Sequence, residues 1–264
     1  MSRGSRQWRW KFVNAPEFVT VEAGLEAVKH DLTHFFQTAE VNCGYTALAM
    51  QLSHYGSSLT PEDIYRSAPR ADVDGAELPG SLTAQLATWA LGKGHTARLT
   101  TFDFLIIDLA WASLDSPRLI SRLKAVRDSH HVSSLGKALS RTYVDGYVQY
   151  LEAGGQLVIL PHVSSSGIYE KLQSGPVGVS VCTAPPYGHG RLAEAMPGRE
   201  VADDVSGAIG THSVVVYGNT SSGDFLLADP WRGLTQVSRE ALICAMTAAE
   251  IECDALCFEI LEPA

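Results

Sequence analysis

The chain has 264 residues, of which 45% are hydrophobic and 19% are charged, so it can fill the core of a folded domain. Its 20 basic and 29 acidic residues give a net charge of −9, which argues against a nucleic-acid partner because phosphates require a basic surface. No apolar stretch is long enough for a membrane span or a signal peptide, so we expect no membrane partner. The five cysteines are odd in number and form no dense framework, which is typical of a reducing compartment and predicts a cytoplasmic location.

The first hundred residues carry mainly helical patterns. Apolar residues recur every three to four positions from Val21 to Phe36, which predicts a helix. A second helix is predicted to begin at Cys43, with Asn42 as its N-cap and Gly56 at its C-terminal end. Three further elements follow: a helix capped at Thr60, a helix over 81–91 and a strand over 96–102.

The pattern changes between residues 103 and 153, where strand signals vanish and apolar residues recur at helical spacing. We predict that 103–153 is a helical insertion within a single domain spanning 1–264. The later chain contains short apolar runs, which predict strands at 156–160, 177–183, 213–217, 225–228 and 256–260. Residues 218–223 predict a hairpin turn, and helices followed by a mostly antiparallel sheet predict the α+β class.

Cys43 is the residue on which the functional hypothesis depends. A thiol at a helix N-terminus lies beside unpaired backbone amides and the positive end of the helix dipole, and both lower its pKa. The thiolate could attack a carbonyl carbon, and the oxyanion would need donors such as the Cys43 amide and the Gln37 side chain. Gly44 would allow a close approach to the backbone, including that of a substrate. Taken alone, however, Cys43 could be a buried core thiol, which is the commoner role of a lone cysteine.

His212 is predicted to lie at the start of one hairpin strand and Asp229 at the end of its partner. Antiparallel pairing brings these two ends together, so Asp229 could accept the imidazole N–H and fix the tautomer of His212. Trp231 could shield this pair from water or line the cleft, although core packing is an equal alternative. Asp204 could bind a substrate amine, but a solvated loop is the commoner setting for such a residue.

We predict neither a metal site nor a cofactor. Cys244, Cys253 and Cys257 lack the paired close spacing of a zinc site. Glycine-rich phosphate-binding motifs are absent from the sequence, so no nucleotide is expected.

Three blocks of the sequence together resemble the bacteriocin-processing (double-glycine leader) peptidase family, whose members are papain-like cysteine peptidases. These blocks are Gln37–Met50 followed by Tyr55-Gly56, His212–Gly218, and Leu227–Pro230. The resemblance implies a papain-like fold in which Cys43 is the nucleophile. It also implies that His212 is the general base, that Asp229 orients it and that Gln37 donates to the oxyanion. The helical stretch 103–153 is not part of a compact leader peptidase, so the resemblance does not define the substrate.

The predicted activity is that of a peptidase or amidohydrolase acting on an amide, peptide or thioester through a covalent Cys43 acyl-enzyme. An amide-forming acyltransferase of a biosynthetic pathway would use the same thioester and pass the acyl group to an amine. A non-catalytic binding protein on this scaffold is the third hypothesis, but such a protein would be expected to lack one of the four residues. The expected partner is therefore a peptide or a small acyl or amine substrate, either free or carrier-bound.

Overall fold

The computed structural model of the protein describes residues 25–39, 42–70, 80–101, 106–129, 137–183, 186, 205, 210–249 and 257–261, with the backbone of four short strands between them. The helices are α1 (Cys43–His54), α2 (Pro61–Ser67), α3 (Thr83–Gly92), α4 (Ser116–Asp128), α5 (Lys137–Glu152), α6 (Ser165–Leu172) and α7 (Arg239–Ala249), with a 3-10 helix over Leu109–Ser113. The strands are β1 (Val28–Lys29), β2 (Asp72–Val73), β3 (Ala76–Glu77), β4 (Thr96–Thr101), β5 (Gln156–Ile159), β6 (Val177–Cys182), β7 (Leu192–Met196), β8 (Arg199–Ala202), β9 (Thr211–Asn219), β10 (Phe225–Asp229), β11 (Gly233–Val237) and β12 (Cys257–Leu261). Across these described ranges, no helix combines the length and the apolar character that a bilayer crossing requires.

The central sheet has the strand order β11, β10, β9, β6, β12, β4 and β5, and β1 adds to β9. Each neighbouring pair in this sheet is antiparallel except β4 with β5, which are parallel. Two small hairpins, β2 with β3 and β7 with β8, pair separately. The combination of helices with a mostly antiparallel sheet confirms the predicted α+β class.

Helices cover both faces of the sheet at β9. Alternate residues of a strand point to opposite faces of its sheet. Val214 and Val216 share a hydrophobic cluster with side chains of α6 and α7, whereas Val215 packs with Ala47 and Met50 of α1 in a separate cluster. The helix α1 therefore lies on one face, opposite α6 and α7, and this packing fixes α1 relative to β9.

Strands β9 and β10 form the hairpin that the sequence predicted around residues 218–223. Ala228 lies opposite Val215 in the antiparallel register of the two strands. Both strands extend slightly further than predicted, so His212 and Asp229 lie inside the two strands and not beyond their ends. Because strand residues are held by the sheet, these two side chains have rigid supports.

The helix predicted over Val21 to Phe36 is wrong for the described part of that segment. Val28 and Lys29 form β1 instead and pair antiparallel with Asn219 and Gly218, and the residues that follow are irregular. The apolar side chains that suggested a helix still pack against the sheet. Leu25 packs against the cluster that contains Val214 and Val216, and Leu32 and Phe35 pack against the cluster that contains Val215. Pairing with the sheet has therefore overridden the local helical pattern.

Helix α1 begins at Cys43, as predicted, but the prediction that Asn42 caps it is wrong. Asn42 has φ −100° and ψ 7°, whereas an N-cap needs an extended backbone, and its side chain makes no capping hydrogen bond. Thr60 does cap α2 as predicted, since its hydroxyl accepts from the Asp63 amide and the Asp63 carboxylate accepts from the Thr60 amide. The side chain of Asn42 therefore does not occupy the amides of the first turn of α1.

The predicted helical stretch 103–153 contains the 3-10 helix, α4 and α5, which lie between β4 and β5 in the chain. Parallel neighbouring strands require a long crossover connection, and this stretch supplies it. Leu123 of α4 and Tyr147 of α5 are fully buried in the same cluster as Leu48 of α1 and Ala87 of α3. The helices are thus packed into the main core, while their status as an insertion in one domain stays a prediction.

We expect Gly218 to tolerate no side chain, because a Cβ there would overlap the Val28 carbonyl oxygen and lie 3.0 Å from Lys29 Cα. Backbone atoms cannot rotate away from an added methyl group. Gly218→Ala should lower the free energy of unfolding by about 1–3 kcal/mol, the usual cost of overpacking, as measured by urea denaturation. Gly92→Ala is the matched control, since a Cβ at Gly92 would meet no atom within 4 Å. Equal losses in the two variants would contradict the close approach of β1 to β9.

Candidate active site

The structure brings together three of the predicted site residues: Cys43, His212 and Asp229. Cys43 is the first residue of α1, His212 is the second residue of β9, and Asp229 is the last residue of β10. His212 Nε2 lies 2.9 Å from Asp229 Oδ1, and His212 and Cys43 are close enough for each side chain to shift the pKa of the other. Both His212 and Asp229 are buried, so the pair is shielded from water.

The Asp229 carboxylate is fixed by the turn that follows it. Asp229 Oδ1 accepts from the backbone amides of Trp231 at 2.7 Å and Arg232 at 3.2 Å, in addition to its contact with His212. Burying a carboxylate costs free energy unless donors replace its water. These donors satisfy Oδ1 and hold it where it meets the imidazole.

His212 is oriented by this contact, since its Nε2 faces Asp229 and the Nδ1 side of the ring is left for Cys43. Burial lowers the pKa of His212, but hydrogen bonds to Asp229 and Cys43, together with their negative charges, outweigh it and raise the pKa to about 9. The imidazole therefore favours its protonated form near neutral pH.

Burial raises the pKa of the Cys43 thiol, but the hydrogen bond and charge of His212, with contacts from Ser213, bring it below its ordinary value. The opposite shifts at Cys43 and His212 favour a thiolate–imidazolium pair, which is the reactive form of a cysteine nucleophile. Ser213 contributes through both its backbone and its side chain, and sequence reasoning missed it. Its position next to His212 was the signal that could have identified it.

Gln37 lies beside the same turn as Asp229. The Gln37 amide donates to the Pro230 carbonyl at 2.8 Å, and His34 Nε2 lies 2.8 Å from the Asp229 carbonyl oxygen. Among the described residues, Gln37 Oε1 is buried and has no hydrogen-bond partner. The backbone that carries Gln37 is therefore fixed to the turn after the buried carboxylate.

Gly44, Trp231 and Asp204 were predicted to contact the substrate, and each lies in a different setting. Gly44 is buried, and a Cβ there would overlap the Ser81 hydroxyl, so the side chain of Ser81 lies close to the Gly44 backbone. Trp231 is 50% exposed with its ring centroid 6.3 Å from that of His212, so it borders the imidazole at the surface and does not pack in the core. Asp204 lies outside the described residues, and the substrate contacts of Gly44 and Trp231 stay predictions.

Among the side chains that the structure describes, no three His, Cys, Asp or Glu residues are placed to hold a metal ion. Cys257 is buried, and burial raises the pKa of its thiol to about 12, while Cys253 lies outside the described residues. The four described cysteines, Cys43, Cys182, Cys244 and Cys257, are free thiols.

Comparison with known proteins identifies neither a matching family model nor a matching curated protein. Among solved structures, the chain is similar to a protein from Bacillus anthracis described as a C39-like peptidase, with 14% sequence identity and a TM-score of 0.45. The similarity covers 90% of this chain and 98% of that chain. A likeness this distant does not establish family membership or activity.

The thiolate–imidazolium pair predicts that Cys43 reacts fastest with iodoacetamide near neutral pH, because alkylation requires the thiolate. Its labelling rate should stay high as the pH falls below 9 and decline only when the pH passes the lowered pKa of the thiol. In His212→Gln the burial remains but the positive charge is lost, so labelling at pH 7 should fall at least about tenfold, which is one pKa unit. Mass mapping of each thiol against time measures these rates.

Two controls accompany this measurement. Cys244 is exposed and reports the rate of an ordinary thiol in the same sample. Thr211→Ala changes an exposed neighbour of His212 on the same strand and should leave the Cys43 rate unaltered. Equal labelling of Cys43 and Cys244, or an unchanged rate in His212→Gln, would contradict the ion pair.

Proposed function

We propose that the protein is a papain-like cysteine enzyme that cleaves an amide, peptide or thioester through a covalent Cys43 acyl-enzyme, working in the cytoplasm. The observation that carries the proposal is the buried pair of Asp229 and His212 beside the partly exposed Cys43. A cysteine that only fills space has no need of a buried imidazole and carboxylate, both of which are costly to desolvate. Free thiols at the four described cysteines are consistent with a reducing compartment.

Acylation begins when the Cys43 thiolate attacks the substrate carbonyl carbon, forming a C–S bond while the carbonyl electron pair moves to oxygen. The resulting oxyanion accepts hydrogen bonds from the Cys43 backbone amide and from Gln37 Nε2. When this intermediate collapses, the bond to the leaving group breaks and the protonated His212 gives its proton to that group. Asp229 keeps the imidazole in the required orientation throughout.

In deacylation, His212 takes a proton from water as the water oxygen attacks the thioester carbon, and the C–S bond then breaks to release a carboxylic acid. An acyltransferase would differ only here, because an amine would replace water and an amide would be released. The half-exposed Trp231 lies beside His212, where it would border a leaving amine as well as an entering one, so it supports amide cleavage and acyl transfer equally.

Intact-mass spectrometry with a panel of small acyl thioesters and activated esters tests the proposal. We expect one acyl adduct on the wild-type protein and on Cys244→Ala, and none on Cys43→Ala. An adduct that decays in water supports the hydrolase, and one that decays only with an added amine supports the acyltransferase. Absence of any adduct with every donor would refute the proposed activity and favour a binding protein.

Gln37→Ala should separate the oxyanion step from the reactivity of the thiol. Loss of one oxyanion donor lowers turnover about 10²- to 10³-fold, measured with the donor that acylates the wild type most rapidly. Labelling of Cys43 by iodoacetamide should not change, because attack at a saturated carbon forms no oxyanion.

Thr38→Ala is the matched control for this variant, since Thr38 is the exposed neighbour of Gln37 in the same segment. It should retain both turnover and labelling. If Gln37→Ala lost labelling and turnover to the same extent, Gln37 would be a structural residue and not an oxyanion donor.

A further inference from the structure

A cavity of about 480 Å³ lies beside β5, at the edge of the central sheet, and we call it the β5 cavity. Cavities that bind small molecules usually have volumes of about 300–1,000 Å³. The β5 cavity is therefore large enough for a ligand of metabolite size. The residues of its wall that bear on the choice of ligand are Arg98, Val158, Leu160, Ser166, Glu170, Lys171 and Glu259.

The β5 cavity is separate from the candidate active site. Strand β6 pairs with Glu259 at its first residue, Val177, and with Thr211, the neighbour of His212, at its last residue, Cys182. Five residues of extended strand span about 16 Å, so the cavity and the imidazole lie near opposite ends of β6. A ligand in the β5 cavity therefore has no contact with the proposed nucleophile.

The polar end of the β5 cavity contains a guanidinium that is not needed inside the protein. Lys171 Nζ lies 2.6 Å from Glu259 Oε2 and donates to Thr100 Oγ1 at 2.9 Å, so the buried Glu259 carboxylate already has a close cationic partner. Arg98 Nη1 lies 3.7 Å from Glu259 Oε1, which is too long for a hydrogen bond, and the Arg98 side chain is 37% exposed. The donors of Arg98 are therefore open to a ligand.

The charges around this end favour an anion of low charge. Arg98 and Lys171 together carry one positive charge more than Glu259 removes, and the planar fork of arginine matches the two oxygens of a carboxylate. Ser166 lies in the first turn of α6, where the helix dipole adds to this attraction. The exposed Glu170 also borders the cavity, and it would repel a doubly charged phosphate more strongly than a monocarboxylate.

The other side of the β5 cavity is apolar. Val158 and Leu160 lie on and directly after β5, and Val158 is 37% exposed because β5 is an edge strand. A hydrocarbon group that covers these side chains removes apolar surface from water. A small inorganic anion would leave that surface uncovered. The wall therefore suits a ligand that has both a charged head and an apolar body.

We propose that the β5 cavity binds a small organic monocarboxylic acid, with its carboxylate on Arg98 and its hydrocarbon body on Val158 and Leu160. This inference is independent of the proposed function, because it involves no acyl-enzyme and none of the residues around Cys43. The ligand would bring together β4 and β5 of the sheet with the first turn of α6.

Isothermal titration calorimetry with hexanoate, and with the uncharged hexanamide of the same shape, tests the proposal. We expect hexanoate to bind about tenfold more tightly than hexanamide, because hydrogen bonds between charged partners are the stronger ones. Arg98→Met should weaken hexanoate binding about tenfold or more. Arg98→Lys should weaken it less, since lysine retains the charge but loses the planar fork.

Arg118→Met is the matched control for the loss of an arginine. The Arg118 side chain is 75% exposed on α4, and Leu123 of α4 packs with Leu99 of β4. Because Arg98 and Leu99 are consecutive strand residues, Arg98 points to the opposite face of the sheet from α4. Arg118→Met should therefore bind hexanoate as the wild type does.

Two further variants keep the test independent of folding and of the active site. Arg98→Met should fold, since Lys171 still pairs with Glu259, and circular dichroism checks this. Val158→Asp retains the guanidinium but places a negative charge on the exposed apolar wall, so it should abolish hexanoate binding. Cys43→Ala should bind hexanoate with unchanged affinity.

Several results would overturn the inference. Equal affinities for hexanoate and hexanamide would show that no cation reads the carboxylate, and tighter binding of inorganic phosphate would rule out the organic acid. An unchanged affinity in both Arg98→Met and Val158→Asp, or a lost affinity in Cys43→Ala, would place hexanoate at another site. Absence of hexanoate binding at millimolar concentration would also refute it.

Discussion

The buried contact between the Asp229 carboxylate and the His212 imidazole is the interaction on which the rest of the site depends. A carboxylate removed from water needs donors in place, and Asp229 Oδ1 receives two of them from the amides of the turn that follows. Because the turn sets the direction of the carboxylate, it also sets the direction of the imidazole. The charge that develops on His212 then lowers the pKa of a thiol that burial alone would raise.

The sheet positions His212 and Asp229, and α1 positions Cys43. Antiparallel pairing of β9 with β10 places His212 and Asp229 near each other at one end of the hairpin. Small and unbranched side chains of α1, such as Ala47, let the helix lie close against β9 and bring its first residue to the imidazole. The segment that carries Gln37 is joined to the same turn by backbone hydrogen bonds. All the groups of the proposed mechanism thus depend on one hairpin and one helix.

The features that could be predicted from the sequence are those with a local cause. The start of α1 at Cys43 follows from helical spacing, and the meeting of His212 with Asp229 follows from a hairpin turn between two apolar runs. The class of the fold could be predicted for the same reason, since its helices and strands each have their own pattern.

The features that could not be predicted are those that a distant partner decides. The segment around Val28 has helical spacing but forms a strand, because Gly218 leaves room for its backbone against β9. Asn42 is a good capping residue by type, yet its backbone conformation keeps the side chain away from the helix amides. The exposure of Trp231 and the contact of Ser213 with Cys43 also depend on how separate elements pack.

The parallel pairing of β4 with β5 has a mechanical consequence for the helices between them. Neighbouring strands lie about 4.8 Å apart, so the two ends of the connecting stretch are clamped side by side in the sheet. The α4 and α5 side chains are also embedded in the same core as those of α1 and α3. A region held at both ends and along its length cannot swing as a hinged flap. Helices α4 and α5 therefore act as a fixed support for α1 and α3.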